Sequence, residues 1–246
     1  MGELRIVLVE PSHPGNIGGA ARAMKTMGLD TLYLVRPGRF PDPQADWRAS
    51  QAVDVVAAAV VVDSIDEAIG DCALAIGTST RERRIPWPQA NAEEVAEKLA
   101  TGGYEQPVAI LFGRETSGLS NEELQRCHLH LTIPANPAYP SLNLAMAVQV
   151  VCYELFKARG AASAPVPSDR RFATVTEMEA LFEHLETALL RVGFLNPKAP
   201  RQVMTRMRRL FGRVGVDETE LGMLRGMLSH IESVAERRET AAGPPE

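Results

Sequence analysis

A chain of 246 residues that is 45% hydrophobic and 23% charged has the balance of a globular protein, with room for one sizeable α/β domain and a smaller appendage. No run of about 18 uninterrupted apolar residues occurs, so no membrane-spanning helix is expected, and Met1-Gly2-Glu3-Leu4-Arg5 leads straight into a strand pattern rather than a basic-then-apolar leader. Cys72, Cys127 and Cys152 are far apart and odd in number, which argues against a disulfide framework and for a reducing, cytoplasmic setting. The net charge of −5 runs against nucleic-acid binding, but phosphate is met by local patches. Acidic residues gather over Asn91–Ala100 and Thr176–Glu186, and basic ones at Arg81–Arg84 and from Lys198 to Arg213.

Along the first two-thirds, short β-branched runs alternate with helical patterns, which predicts a mainly parallel sheet covered on both faces. Arg5–Val9 reads as a buried first strand, Asn16–Met27 as a helix and Asp30–Val35 as a second strand. The Ala/Val-rich run from Val55 to Val62 reads as a helix end entering a buried strand at Val60–Asp63, followed by a short helix over Ser64–Ile69. Cys72–Gly77 and Val108–Gly113 are two further strands, each ending in glycine. Asn121 is expected to cap a helix reaching Cys127, with Glu122 and Glu123 at the positive end of its dipole. His128–Pro134 gives a last strand, and Ser141–Arg159 a long helix with Ser141 as its expected N-cap. Residues 1–160 thus form one domain and 161–172 a linker without apolar periodicity. Residues 173–238 form three helical patterns, and 239–246 an expected disordered tail. In the first of those helices Met178, Leu181, Phe182, Leu185, Leu189 and Val192 share one stripe.

Four segments carry candidate chemistry. The turn His13-Pro14-Gly15-Asn16-Ile17-Gly18-Gly19 follows the first strand, where backbone amides at a helix N-terminus can hold an anion. Gly15, Gly18 and Gly19 do not have the G-x-G-x-x-G spacing of a dinucleotide site, and the second strand ends in Val35-Arg36-Pro37 without a ribose-binding acid. Arg36 could still meet an NADP phosphate, which leaves an NADP-dependent Rossmann-type oxidoreductase as an alternative. Arg22 stands alone on an otherwise small or apolar helix. Gly113-Arg114-Glu115-Thr116-Ser117-Gly118 follows a buried strand, where open α/β sheets bind ligands. Ser141-Leu142-Asn143-Leu144 opens a helix, and Gly77-Thr78-Ser79-Thr80 leads to Arg81, Arg83 and Arg84.

In order and wording these segments resemble the SPOUT class of methyltransferases and, within it, the TrmJ-type tRNA 2′-O-methyltransferases. The resemblance rests on Asn16–Arg22, Gly113–Leu119 and Ser141–Ala145, with support from Ala23–Leu29, Pro86-Trp87-Pro88, Gln202-Val203-Met204 and Arg208-Arg209-Leu210-Phe211. It implies a parallel sheet with a C-terminal trefoil knot plus a small all-α extension, and a homodimer. It implies S-adenosyl-L-methionine as cofactor, held at Thr78, Ser79, Thr80, Gly113, Ile133, Ser141, Leu142, Asn143 and Leu144. The implied substrate is the ribose of nucleotide 32, a cytidine or uridine in the tRNA anticodon loop. The residue matching Arg22 is catalytic in the family. A guanidinium stays protonated, so Arg22 is expected to hold the adjacent phosphate and stabilise the developing alkoxide. Asn16, Glu115, Ser141 and Asn143 are expected to fix Arg22 and the ribose by hydrogen bonds.

Arg81, Arg83 and Arg84 beside the cofactor loop, and Arg201, Arg206, Arg208 and Arg209 in the C-terminal helices, are the expected RNA contacts. No membrane or metal partner is expected: His128 and His130 share a strand face but lack a third ligand. Met204, Met207, Met223 and Met227 read as core filler, and Trp87 as a packing anchor. A non-catalytic RNA-binding protein on the same scaffold is a third reading, against which the complete set of site residues argues.

Overall fold

Strand β1 (Leu4–Val9) is buried along its whole length, because side chains of period two feed both faces of a sheet that is covered on both sides. Leu4, Ile6 and Leu8 enter one core, and Val7 and Val9 the other. A computed structural model of the chain describes residues 2–79, 87–161, 171–196 and 202–242. Besides β1, the sheet contains β2 (Leu32–Val35), β3 (Val60–Val62), β4 (Leu74–Thr78), β5 (Gln89–Asn91), β6 (Val108–Phe112) and β7 (Leu129–Thr132). All pairings are parallel, in the order β3-β2-β1-β6-β4-β7-β5, so the carboxyl ends of β1, β6, β4 and β7 open side by side. The expected α/β class and mainly parallel sheet are what the structure has.

The first helix, α1 (Pro14–Thr26), starts two residues before the expected Asn16. His13 caps it by accepting the Gly15 amide at 3.2 Å, and Pro14 occupies the first helical position. α2 (Pro43–Ala49) was not anticipated; it is capped by Asp42 and opened by Pro43. A 3-10 turn (Ser50–Ala52) leads to α3 (Val53–Ala57). The β3 strand that follows is an edge strand with Val60 and Val61 exposed, not the buried strand expected from its composition. α4 (Ile65–Ile69) is capped by Ser64, and α5 (Ala92–Thr101) by a reciprocal Asn91/Glu94 box. Ser120 caps α6 (Asn121–Gln125) in a similar box with Glu123, so the cap lies one residue before the predicted Asn121.

The long helix α7 (Leu144–Ala161) begins three residues after the predicted Ser141. Its cap is Asn143, whose Oδ1 accepts the Ala145 amide at 3.0 Å. α7 packs on α1 and α5, burying Val148, Val151, Cys152 and Leu155. At the α1–α2 contact a Cβ on Gly18 would lie 2.0 Å from the Ala45 carbonyl oxygen, and at the α1–α7 contact one on Gly19 would lie 2.8 Å from the Ala145 Cβ. The two glycines are what let the three helices close on one another.

The helical extension comprises α8 (Val175–Arg191), α9 (Val203–Val214) and α10 (Glu218–Ala242) around Met178, Leu181, Phe182 and Leu228. Phe172 already bridges to Asp217, so the last residue of the expected linker belongs to this unit, and α10 continues into the expected tail as far as Ala242. Met204 packs against the helical core, but Met223 and Met227 are exposed, contrary to their reading as filler. The stripe predicted on α8 also ends early: Val192 is exposed beyond the helix. The unit is docked on the α/β domain. The Val175 and Thr176 amides donate to the Cys72 and Gly70 carbonyls at 3.0 and 3.1 Å, and Glu179 pairs with Arg126 of the α/β domain at 2.8 Å and with Arg208 of α9. Trp87 is the expected packing anchor: it is buried, stacks on His130, and donates its indole N–H to the Cys127 carbonyl.

Gly18→Ala is expected to cost about 2–4 kcal/mol and to lower the melting temperature by about 5–15 °C. Gly222→Ala, on an open face of α10 with no atom near its Cβ, should instead stabilise by about 0.5–1 kcal/mol. Thermal unfolding of the two variants checks both signs.

Candidate active site

The amides at the head of α1 hold an anion, as the glycine turn suggests, but the anion is internal. The Glu115 carboxylate, from the loop after β6, accepts the Ser12 amide at 3.1 Å, the Ser12 hydroxyl at 2.9 Å, the His13 amide at 3.2 Å and the Asn16 side-chain amide at 2.9 Å. Burial pushes this carboxyl up, but the Asn16 and Ser12 donors outweigh it and hold it at about 2. A dinucleotide pyrophosphate has no place at this turn.

Asn16 then passes the connection on. Its Oδ1 accepts from the Asn143 side-chain amide at 3.0 Å, while the Asn143 Oδ1 caps α7. Glu115, Asn16 and Asn143 thus join the loop after β6, the head of α1 and the head of α7 in one chain of hydrogen bonds.

Between these loops lies a cavity of about 150 Å³. Thr78 and Ser79 line it from the end of β4, Gly113 through Leu119 from the loop after β6, and Leu131 and Ile133 from β7 and its exit. Ser141, Leu142, Leu144 and Ala147 close it at the start of α7. The loop after β6 folds tightly on itself: a Cβ on Gly113 would lie 2.1 Å from the carbonyl carbon of Gly118, and Gly118 adopts φ +70°. Backbone therefore forms that wall. Phe112, Leu131, Ile133, Leu142 and Leu144 give an apolar lining, while Thr78, Ser79 and Ser141 add hydroxyls, a mixture that suits a nucleoside with an apolar face and a hydroxylated sugar.

Of the expected cofactor residues, Thr78, Ser79, Gly113, Ile133, Ser141, Leu142 and Leu144 meet at this cavity, and Asn143 caps the helix beside it. Thr80 and the expected RNA contacts Arg81, Arg83, Arg84 and Arg201 lie outside the described residues. Arg22 is exposed, and among the described residues no side chain pairs with its guanidinium. It stands six residues beyond Asn16, about 9 Å along the helix axis. The expectation that Asn16, Glu115 and Asn143 fix Arg22 is therefore corrected: Asn16 spends both amide atoms on Glu115 and Asn143. Arg36 is likewise not an open phosphate site, since its guanidinium binds Glu10 and the Asp63 carbonyl. Arg208 is paired with Glu179 and lies over the Phe182 ring, holding α9 to α8, whereas Arg206 is exposed and Arg209 half-buried.

Glu10 is not singled out by the sequence, and neither is its link with Arg114 and Glu123, yet the three hold the loop after β6. Arg114 donates to Glu10 at 2.6 Å and to both Glu123 oxygens at 3.0 and 2.9 Å. A charged residue closing an otherwise apolar strand, as Glu10 closes β1, was the available signal. His128 and His130 serve the fold. The His128 Nδ1 accepts the Ala75 amide at 3.0 Å, and burial lowers its imidazole to about 4.

Residues 3–153 match the profile of the SpoU rRNA Methylase family. The chain belongs to that family, and the cavity lies among the loops that carry its resemblance. Residues 176–241 match the C-terminal domain of the tRNA methyltransferase TrmJ, which narrows the kinship. Over 235 residues the chain is 50% identical to the tRNA (cytidine/uridine-2′-O-)-methyltransferase TrmJ of Cronobacter sakazakii, covering 94% of this chain and 96% of that one. The crystal structure of TrmJ from Z. mobilis ZM4 aligns with a TM-score of 0.79 at 35% identity, over 94% of this chain and 99% of that one. The SpoU methyltransferase AviRb from Streptomyces viridochromogenes, in complex with its cofactor AdoMet, aligns at 0.53 and 25% identity over 65% and 62%.

The Glu115 contacts make a pH-dependent contribution to stability. The carboxyl titrates near 2 in the fold against an ordinary 4.5, so the contribution is complete above about pH 5 and is lost as the pH falls toward 2. Glu115→Gln should cost about 1–3 kcal/mol at pH 7, a gap that narrows on acidification. Denaturant titrations of both proteins between pH 7 and pH 3 measure it.

Proposed function

We propose that this chain is an S-adenosyl-L-methionine-dependent tRNA 2′-O-methyltransferase acting on the ribose of nucleotide 32, a cytidine or uridine in the anticodon loop. The observation that carries the reading is the cavity at the carboxyl ends of β4, β6 and β7, bordered by the Glu115–Asn16–Asn143 chain. It occurs in a protein similar to TrmJ over nearly its whole length. The apolar wall and hydroxyl rim fit the nucleoside part of the cofactor, with Thr78, Ser79, Gly113, Ile133 and Leu142 to Leu144 as the residues that hold it. When bound, that cofactor supplies a methyl group on a positively charged sulfur, which departs as a neutral thioether.

The remaining work falls to the chain. The ribose oxygen must be held in line with the methyl carbon, which alone lowers much of the barrier. As the new O–C bond forms, the hydroxyl proton leaves to the neighbouring phosphate or to water. Arg22, with no protein partner among the described residues, is free to grip that phosphate and to stabilise negative charge on the oxygen. Ser141, exposed beside the cavity, is placed to hydrogen-bond the ribose. Asn16, Glu115 and Asn143 act indirectly, by fixing the loops. Exposed Arg206 and half-buried Arg209 offer phosphate contacts on α9, and Arg81, Arg83, Arg84 and Arg201 complete the proposed RNA surface.

The same reading includes the trefoil threading of the C-terminal half of the sheet domain, a cytoplasmic setting and a homodimer. Three free, buried cysteines suit a reducing compartment, and no helix among the described residues is long and apolar enough to cross a membrane. For the dimer, α7 carries Met146, Tyr153 and Phe156 exposed, away from its buried Val148, Val151, Cys152 and Leu155. An apolar stripe of this kind suits an isologous contact with a second copy. Phe156→Glu is expected to shift the protein from dimer to monomer in analytical ultracentrifugation; an unchanged mass would remove α7 from the interface.

Incubation with bulk tRNA and methyl-labelled cofactor, followed by nucleoside mapping, should place a 2′-O-methyl group at nucleotide 32. Absence of label there overturns the reading. Arg22→Lys should lower kcat by about 10²-fold or more with cofactor affinity unchanged, because an ammonium cannot form the two parallel bonds of a guanidinium. Near-full activity of that variant would dismiss the phosphate-gripping role.

A further inference from the structure

Two non-glycine residues at neighbouring strand ends adopt left-handed backbone conformations: Glu10, after β1, has φ +47°, and Arg36, after β2, has φ +44°. Side chains other than glycine adopt this region at a cost, and it persists where the surroundings over-determine it. Both are held there by the ladders they extend. The Glu10 amide donates to the Val35 carbonyl at 2.8 Å, and the Arg36 amide to the Val62 carbonyl at 3.0 Å.

The two side chains then meet. Arg36 donates to the Glu10 Oε1 through Nε at 3.1 Å and Nη2 at 2.5 Å, leaving Oε2 for the Arg114 Nε at 2.6 Å. Arg114 passes the line on to Glu123, whose Oε2 also accepts the Ser120 amide at 2.7 Å. Arg36, Glu10, Arg114 and Glu123 therefore form a ladder of alternating charge across the carboxyl ends of β2, β1 and β6. The ladder ends on the capping box of α6. The Arg114 and Arg36 guanidiniums hold the Glu10 carboxyl at about 2, so it is ionised throughout the working range.

Arg114 is the residue through which this ladder reaches the cavity. Its amide donates to the Gly118 carbonyl at 3.3 Å and its carbonyl accepts the Gly118 amide at 2.8 Å, closing the loop that forms one wall. Its Nη1 lies 3.4 Å from the same Gly118 oxygen. With the guanidinium gripped by Glu10 on one edge and Glu123 on the other, the backbone of 113–118 is pinned in the shape the cavity needs.

We propose that Glu10 is a positioning residue that sets the loop 113–118, and with it the affinity for S-adenosyl-L-methionine, without itself touching the cavity; the second half of this statement rests on the function proposed above. Glu10 is absent from the cavity lining, and its reach is through Arg114. Glu10→Gln keeps the size of the side chain and removes the charge that binds two guanidiniums.

Two measurements on the full chain test this. Amide hydrogen exchange of the ligand-free protein should show faster exchange at Gly118 in Glu10→Gln, on the order of 10-fold, with α1 and α7 unchanged. Calorimetric titration with S-adenosyl-L-methionine should show a Kd weaker by about 10-fold, whereas tRNA affinity and kcat at saturating cofactor stay near wild type. Arg36→Ala, which removes the outer rung at an exposed position, should give the same pattern with a smaller, about 3-fold, effect and guards against misfolding of the first variant. Unchanged Gly118 exchange, or exchange raised uniformly over the molecule, overturns the proposal. Faster loop exchange in a protein whose wild type binds no S-adenosyl-L-methionine leaves the positioning role standing and overturns the reading of the cavity instead. Faster loop exchange with unaltered cofactor affinity overturns the link between the ladder and the cofactor.

Discussion

The Glu115 carboxylate, seated on the Ser12 and His13 amides and on the Asn16 side chain, makes one site out of segments about a hundred residues apart. It meets the two unbonded amides that precede α1, which would otherwise ask for an external anion. It also orients Asn16, since a donor fixed on the carboxylate turns the Asn16 oxygen toward Asn143. Asn143 in turn fixes where α7 starts, and that start sets Leu142 and Leu144 against the cavity. Removing charge at position 115 therefore acts on both walls of the cavity.

Close backbone approach works together with this chain of bonds. Gly18 lets α2 lie against α1, Gly19 lets α7 do so, and Gly113 lets the loop after β6 fold back on Gly118. Charge ladders then take up the cations near these joints. Arg114 is consumed by Glu10 and Glu123, Arg36 by Glu10, and Arg208 by Glu179 at the seam between the two units. Docking of the helical unit combines backbone bonds at Val175 and Thr176 and the Glu179–Arg126 pair with apolar contacts, Val175 entering the core of the α/β domain and Phe172 packing on Tyr104.

Much of this architecture was legible in the sequence because it depends on local pattern. The apolar run of β1 and the short helix that starts at Ser64 follow from spacing and side-chain type, whereas the strands expected to end in glycine do not: β4 runs past Gly77 to Thr78 and β6 stops at Phe112. The loops that meet at the cavity were legible as polar segments after buried strands. Which side chain in them bonds which was not, because Glu115 and Asn16 are 99 positions apart and Asn16 and Asn143 127. Competition for the same atoms decides such pairings. Arg36 looked available for a phosphate until Glu10 occupied it, and Arg208 looked like its neighbours on α9 until Glu179 did. α2 was legible but overlooked: Asp42-Pro43 is a cap followed by a first-turn proline.

A net charge of −5 is compatible with an RNA substrate where unpaired cations lie together, so the distribution of pairing matters more than the sum. Carboxylates that would repel phosphate are in part spent on internal arginines: Glu10 and Glu123 on Arg114, Asp71 and Glu3 on Arg5, Glu177 on Arg171. Counted with Arg36, which shares Glu10, the Arg114 ladder is neutral seen from a distance, whereas the Arg5 cluster keeps one net negative charge. Arg22 on α1, Arg48 on α2, and Arg206, Arg209 and Arg213 on α9 make no side-chain ion pair among the described residues. These cations keep their full field for a polyanion. A whole-chain charge sums over the entire surface, whereas phosphate responds to where the unpaired cations lie. Subtracting neutral pairs leaves the net charge of −5 unchanged, so pairing does not alter the sum; it selects which guanidiniums, among the described residues those on α1, α2 and α9, carry no internal partner.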